Sequence, residues 1–433
     1  MSTQIDGVAG SGFTAAAELP SPSAPTVNAS QGMRLSGKRV GMIVFSHYPA
    51  DPRPRRAAEA LLQEGAIVDL ICEWEEKSPK RERRGNLTIT RIPVRHFRGG
   101  ALNYAYQYSA FIAWTSMLLA WRMLRRRYDL VHVHNMPDIL VTSALLPKLM
   151  GAKVILDQHD PMPELMMTIF GKDENSLAVR VIRSLEKWSL RRAHLVITVN
   201  EACRRIFSQR SCRAEKIAVI MNCPDAALFP YRAAGSYPLS AADARFVIMY
   251  HGSLVERNGL DLAVDALARL ITKIPNAELR VFGRSTPYLE QVMQKVGALG
   301  LENHVRYLGP RKLELLANEI EQCDVGVIPN QCNTFTDINT PTRIFEYLAL
   351  GKPVIAPSTA GICDYFGPQS LFFFESGDSV DLAASMEFVA NHAAEAREVA
   401  ERGQAVYLKH TWANEREELV HLVSGLIGPA KST

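Results

Sequence analysis

The stretch Thr340–Ile355, TPTRIFEYLALGKPVI, admits few backbone paths. Thr340 is a good N-cap and Pro341 suits the first helical position, so a helix is expected to begin here. Gly351 can take the left-handed conformation that closes a helix, and Pro353 stops the helix from resuming. Val354-Ile355 is then a short apolar run of the kind used by buried parallel strands. Arg343 and Glu346 are three apart and share one helix face. A cation beside free N–H groups at a helix N-terminus can seat a phosphate, with the carboxylate left for a sugar hydroxyl. Spacing alone favours the plainer reading, a solvated surface pair.

Upstream, apolar strands recur and end in polar clusters, the pattern of a doubly wound α/β domain whose ligands sit at the carboxyl ends of its strands. KRVGMIVFS, from Lys38 to Ser46, runs into a His47–Arg53 loop and a helix from about Pro54 to Gly65. Further strands are expected at 67–72, 87–92 and 129–135. In Asp129–Asn135 alternation puts His132 and His134 on one face, and His134-Asn135 lies at the ligand-binding end. Lys153–Pro161 repeats the arrangement, ending in Asp157-Gln158-His159-Asp160-Pro161, with Glu164 just beyond. No HExxH and no His/Cys set accompanies these histidines, so no metal site is expected. Strands at 194–200 and 217–222 complete this half.

A Gly-, Ala-, Ser- and Pro-rich linker is expected at 229–244. Phe246–Gly252 then reads as a strand leading through Ser253–Gly259 into an amphipathic helix, an anion site in principle, with Arg257 as its cation. Gly283-Arg284 closes the next strand, 278–282. Strands at 305–308, 324–329, 354–355 and 372–374, one or two helices over 380–409 and a last helix over 412–427 follow.

The form Pro-x-Arg-x-Phe-Glu-Tyr-x-x-x-Gly-Lys-Pro-Val-Ile in 341–355 resembles the donor-site helix of glycosyltransferase family 4. Asp51-Pro52-Arg53, the Asp-x-His-Asp-Pro element at 157–161 and Asn222-Cys223-Pro224-Asp225 resemble family elements as well. The resemblance implies the GT-B fold: two facing doubly wound Rossmann-like domains at 37–228 and 245–410, with the 411–433 helix returning to the first. It implies transfer of a sugar, with retention, from a nucleotide-sugar donor; the acceptor expected, lipid-linked or polysaccharide, rests instead on the basic first half and the apolar Tyr104–Leu124 segment. His159, Arg257, Arg343 and Glu346 would then be catalytic. Gly252, Ser253, Arg257, Gly283, Arg284, Thr340, Pro341, Arg343 and Glu346 would bind the donor, and His134, Asn135, Asp160 and Glu164 would lie on the acceptor side. No cofactor or metal is implied. The chain departs from the family where relatives commonly carry Arg, Lys and a first Glu: it has Ser253, Asn258 and Ile338. Those departures keep a non-catalytic GT-B partner subunit open, and the shared fold keeps open a nucleotide-sugar epimerase.

Composition bounds the partners. A chain of 433 residues calls for two domains. Seven scattered cysteines with no CxxC pair argue against a disulfide framework and fit a reducing cytoplasm. Residues 1–36, without periodicity or a signal-peptide core, read as a disordered tail. From Lys38 to Asp225 there are 30 Lys and Arg against 19 Asp and Glu, although the whole chain carries only +4. That basic half, with Arg125-Arg126-Arg127 and the apolar Tyr104–Leu124 segment, suggests peripheral contact with an anionic membrane at its inner face. No DNA- or RNA-reading motif accompanies the charge, so nucleic acid is not expected.

Overall fold

The computed structural model describes residues 33–94, 101–236 and 245–428. Two sheets carry the fold. The first contains β1 (Arg39–Val44), β2 (Ile67–Glu73), β3 (Arg81–Arg84), β4 (Leu87–Ile92), β5 (Leu130–His134), β6 (Lys153–Gln158), β7 (Leu195–Thr198) and β8 (Ile217–Val219), in the order β3-β4-β2-β1-β5-β6-β7-β8. The second contains β9 (Phe246–His251), β10 (Ala277–Phe282), β11 (Val305–Gly309), β12 (Val325–Val327), β13 (Val354–Pro357) and β14 (Phe372–Phe374), in the order β11-β10-β9-β12-β13-β14. Every pairing is parallel except β3 on β4.

Parallel strands need crossover helices, and these bury both faces of each sheet. In the first sheet Ile43, Val131, Val133 and Leu156 pack with Phe111 and Leu119 on one side. Met42, Leu70 and Ile155 pack with Leu61 on the other, where Leu419, Val420 and Val423 of the last helix, Trp412–Ile427, join them. The C-terminal helix therefore does cross back to the first domain. Its return is pinned at the surface by Arg416 donating to Glu64 at 2.9 Å and Lys38 donating to the Ile427 carbonyl at 3.0 Å.

Three expectations change. β3 has no apolar alternation, since all four of its residues are charged; its backbone pairs Arg81 opposite Thr90 and Arg84 opposite Leu87, and Glu82 accepts from Arg91 of β4 at 3.0 Å. Charged side chains suit an exposed edge strand because they discourage further pairing. Of the 1–36 segment expected as a tail, residues 33–36 are described, and there Leu35 is fully buried and Arg34 pairs with Glu64 at 3.1 Å. In the expected linker Phe229 and Ala234 are buried, while 237–244, like 1–32, lies outside the described residues. All seven cysteines are free.

Candidate functional site

The helix that opens the argument runs Thr342–Ala349, one position later than expected, with Pro341 at its N-cap. Thr340 does not cap it; its hydroxyl donates to the Gly361 carbonyl at 2.7 Å and accepts from Asn200 Nδ2 at 3.2 Å. The far end closes as expected. Lys352 N–H donates to the Tyr347 carbonyl and Gly351 N–H to that of Leu348, both at 3.0 Å, with Gly351 at φ +70°. That pattern is a Schellman closure. A Cβ on Gly351 would also stand 2.7 Å from the Arg232 carbonyl oxygen.

This helix holds Arg343 against the end of β9. Arg343 donates from Nη1 to the His251 carbonyl at 2.9 Å and from Nη2 to Asn330 Oδ1 at 3.1 Å, and its guanidinium lies 4.9 Å from the Tyr250 ring centroid. Three of its five N–H donors are left for a ligand. Gly252 and Gly283 let the strand ends meet closely: a Cβ on Gly283 would fall 2.3 Å from the Gly252 oxygen. Glu346 Oε2 lies 3.3 Å from His251 Nε2. Burial raises the Glu346 carboxyl to about 7 against the opposing pull of Arg343 and Arg56, and burial with the Arg343 charge lowers His251 to about 3. His251 is therefore neutral at physiological pH, and Glu346 is divided between its two forms.

Arg257, in the short turn Glu256–Asn258, has the Asp160 carboxylate of the first domain as its charged neighbour. Burial lowers its pKa while the Asp160 charge raises it. Ser253 is exposed, and its carbonyl accepts from Tyr250 Oη and Asn258 Nδ2, each at 2.8 Å. Asn258 thus braces the loop. Arg284 is exposed at the end of β10.

Across the cleft, His134 pairs in register with Asp157 of β6. His134 Nδ1 lies 3.1 Å from His159 Nε2 and 3.3 Å from Asp157 Oδ2, and His132 stacks on His134 with centroids 4.3 Å apart. Arg53 secures the far side of Asp157, donating to Oδ1 from Nη2 at 2.7 Å and from Nε at 3.0 Å. Burial alone would raise Asp157, but Arg53 and the two histidines hold it well below the usual carboxylate range. Burial takes His134 down to about 4 and His159 well below its ordinary value. Both rings are neutral. An ionised Asp157 only accepts, which favours hydrogen on His134 Nδ1; His159 Nε2 then accepts from it, and His159 Nδ1 is that ring's donor. His132, His134 and Asp157 also place their ligand atoms within 4.8 Å of one another, the one described group that could hold a metal, although Arg53 already supplies positive charge there.

Between the halves, His159, Asp160, Asn222, Asn339, Thr340 and Pro341 line a polar cleft of about 230 Å³. The remaining acceptor-side expectations are corrected. Glu164 is buried and both its oxygens are taken by Arg210, at 2.5 and 2.9 Å, so it braces helices instead of facing a ligand. Asn135 is buried too: its Nδ2 serves Asp138, Gln158 and the Asp160 carbonyl, and its Oδ1 accepts from His159 N–H at 2.7 Å. It positions the His159 loop. Arg53, Arg56, Asp157 and His251 were missing from the expected site. For Arg53 the Asp-Pro-Arg turn after the first strand was a usable signal; for His251 there was only its place at a strand's end.

Ile338, where the resemblance implies a glutamate, is buried among first-domain apolar residues, and its carbonyl accepts from Asn200 Nδ2 at 2.8 Å. That position has become a contact between the halves.

Two parallel-sheet α/β domains meeting over such a cleft define the GT-B class of folds. The chain belongs to the family 4-like glycosyltransferases: residues 50–223 match the glycosyl transferase 4-like domain, and 245–392 match glycosyl transferases group 1. D-inositol 3-phosphate glycosyltransferase of Geodermatophilus obscurus is 29% identical over 30% of this chain and 30% of that protein. GDP-mannose-dependent alpha-(1-6)-phosphatidylinositol monomannoside mannosyltransferase of Mycolicibacterium smegmatis is 27% identical over 42% of this chain and 48% of that protein. The matches thus span less than half the length of these relatives. In fold, sucrose-phosphate synthase of Thermosynechococcus elongatus superposes with a TM-score of 0.72 over 90% of this chain and 99% of that one, at 18% identity. The Anabaena protein HepE in complex with UDP gives 0.64 over 90% and 100%, also at 18%.

Proposed function

We propose that this protein transfers a sugar, with retention of configuration, from a nucleotide-sugar donor to a lipid-linked or polysaccharide acceptor, working at the cytoplasmic face of a membrane. One observation carries the reading: Arg343, fixed by the protein yet with donors to spare, sits at a helix N-terminus beside the close-packed Gly252–Gly283 turn, and Arg257 lies in the loop that follows the same strand end. These positive groups would stabilise the charge that develops on a departing nucleoside diphosphate, and their preorganisation makes them effective. A divalent ion is not required if they suffice. Glu346 would accept ribose hydroxyls. His159, neutral and oriented by His134 and Asn135, would meet the donor sugar or the acceptor hydroxyl, with Asp160 beside it. Among the described residues lining the cleft, Asp160 is the single carboxylate, which leaves no pair for double displacement and leaves retention to a front-side route. A lipid acceptor agrees with the name of the Mycolicibacterium relative, a phosphatidylinositol monomannoside mannosyltransferase, and among the described residues no helix is long and apolar enough to cross a membrane.

The buried Ile338 favours a second reading, a GT-B subunit that binds nucleotide without turnover and activates a partner. Thermal shifts with UDP, GDP, ADP and their sugar conjugates test both, because binding to the folded state raises its stability. A shift with one nucleotide, followed by consumption of its sugar conjugate with an acceptor, supports transfer. A shift without turnover supports the subunit, consumption with neither acceptor nor hydrolysis indicates an epimerase, and no shift refutes the donor site.

A further inference from the structure

The helix Ala101–Arg125 is apolar on two sides. Its inner stripe, Gln107, Phe111, Thr115, Leu119 and Met123, recurs every four residues and is buried against the first sheet. Its outer stripe, Tyr106, Trp114, Met117, Trp121 and Leu124, also keeps helical spacing, but faces solvent: Trp114 is 54% exposed and Leu124 78%. A helix apolar all round is ordinarily enclosed. The short helix Leu145–Leu149 packs beside it and extends the patch with Leu146 and with Leu149, 84% exposed.

The surroundings say what covers this face. From Gly85 to Tyr128 the sequence holds seven arginines and no acidic residue. Arg125, Arg126 and Arg127 are exposed at the end of the outer stripe, and the Arg125 guanidinium lies 3.8 Å from the Trp121 ring centroid. Tryptophans with an apolar body and a polar edge, ringed by arginine, match the interface of a bilayer whose headgroups are anionic. A protein partner of ordinary surface would leave the arginine cluster without counter-charge.

We propose that Trp114, Met117, Trp121, Leu124 and Leu149 form a docking face that enters the interface of an anionic phospholipid membrane, with Arg125–Arg127 on the headgroups. This names the surface for the membrane contact in the reading above and rests on that part of it, not on the chemistry of the cleft.

The full chain would be floated with vesicles of phosphatidylcholine, with and without one-third phosphatidylglycerol, and tryptophan emission measured against acyl-brominated lipid. Flotation should require phosphatidylglycerol. Trp114→Phe/Trp121→Phe should still float but lose most of the quenching, since Trp74, Trp188 and Trp412 lie elsewhere. Met117→Glu/Leu124→Glu should lower flotation at least tenfold with an unchanged melting temperature, and neutralising Arg125–Arg127 to Gln should do the same. Flotation that persists in the glutamate variant, or quenching that persists in the phenylalanine variant, would overturn this face while leaving membrane contact intact. No flotation of the wild type, or flotation on neutral vesicles alone, would overturn both. A dimer in light scattering, dissolved by Met117→Glu/Leu124→Glu without flotation, would assign the face to a second copy of the chain. Nucleotide thermal shifts are read separately and are independent of every arm.

Discussion

Replacing Glu346 with glutamine should change how stability depends on pH. The wild-type carboxyl is held at about 7 by burial, against an ordinary value of 4.5. At about 1.4 kcal/mol for each tenfold change in the ionisation constant, that difference amounts to about 3 kcal/mol. The sign follows from proton counts. Between 4.5 and about 7 the folded protein holds a proton that the unfolded chain has released, so stability is full at low pH and falls as pH rises through this window. Glutamine cannot ionise, so Glu346→Gln removes the loss. Urea denaturation of both proteins should show the variant gaining about 2–3 kcal/mol on wild type between about pH 5 and about pH 8, with the other titrations cancelling in the difference. Curves that stay parallel within about 0.5 kcal/mol would refute the burial argument. If Glu346 also accepts ribose hydroxyls, nucleotide binding favours its ionised form, and affinity should tighten as pH rises through 7 in the wild type only.

Arg343→Ala should lower turnover by about 100- to 1,000-fold, as expected for a lost preorganised donor, and near-normal steady-state rates would refute its placement at the departing diphosphate. Arg53→Met leaves Asp157 buried without its guanidinium and should cost about 3–5 kcal/mol in chemical denaturation; Arg53→Met/Asp157→Asn should recover part of that, and no recovery would mean the pair is not coupled. Gly351→Ala forces a left-handed alanine towards the Arg232 carbonyl and should lose at least about 1–3 kcal/mol, with an unchanged midpoint counting against the Schellman closure.

The strands of both sheets except β3 were legible in the sequence, because each is an apolar run bounded by turn residues, and burial on two faces demands such runs. The helix Thr342–Ala349 was legible too, from Gly351, Pro353 and the family form around Arg343 and Glu346. β3 was not, since an edge strand is chosen by backbone pairing, and four charged residues carry no apolar signal.

What the sequence determined by itself is local: where the chain must be buried, where it must turn, and which polar residues fall at strand ends. Only the tertiary structure decided which of those residues share a charge. Glu164 was spent on Arg210, while Arg53, 104 positions before Asp157, was brought onto it. Ile338 became a seam between the halves, and Glu346 was buried deeply enough to titrate near neutrality. The physical reason is that electrostatic and desolvation energies depend on distances in space and on exclusion of water, and neither quantity is periodic along a chain.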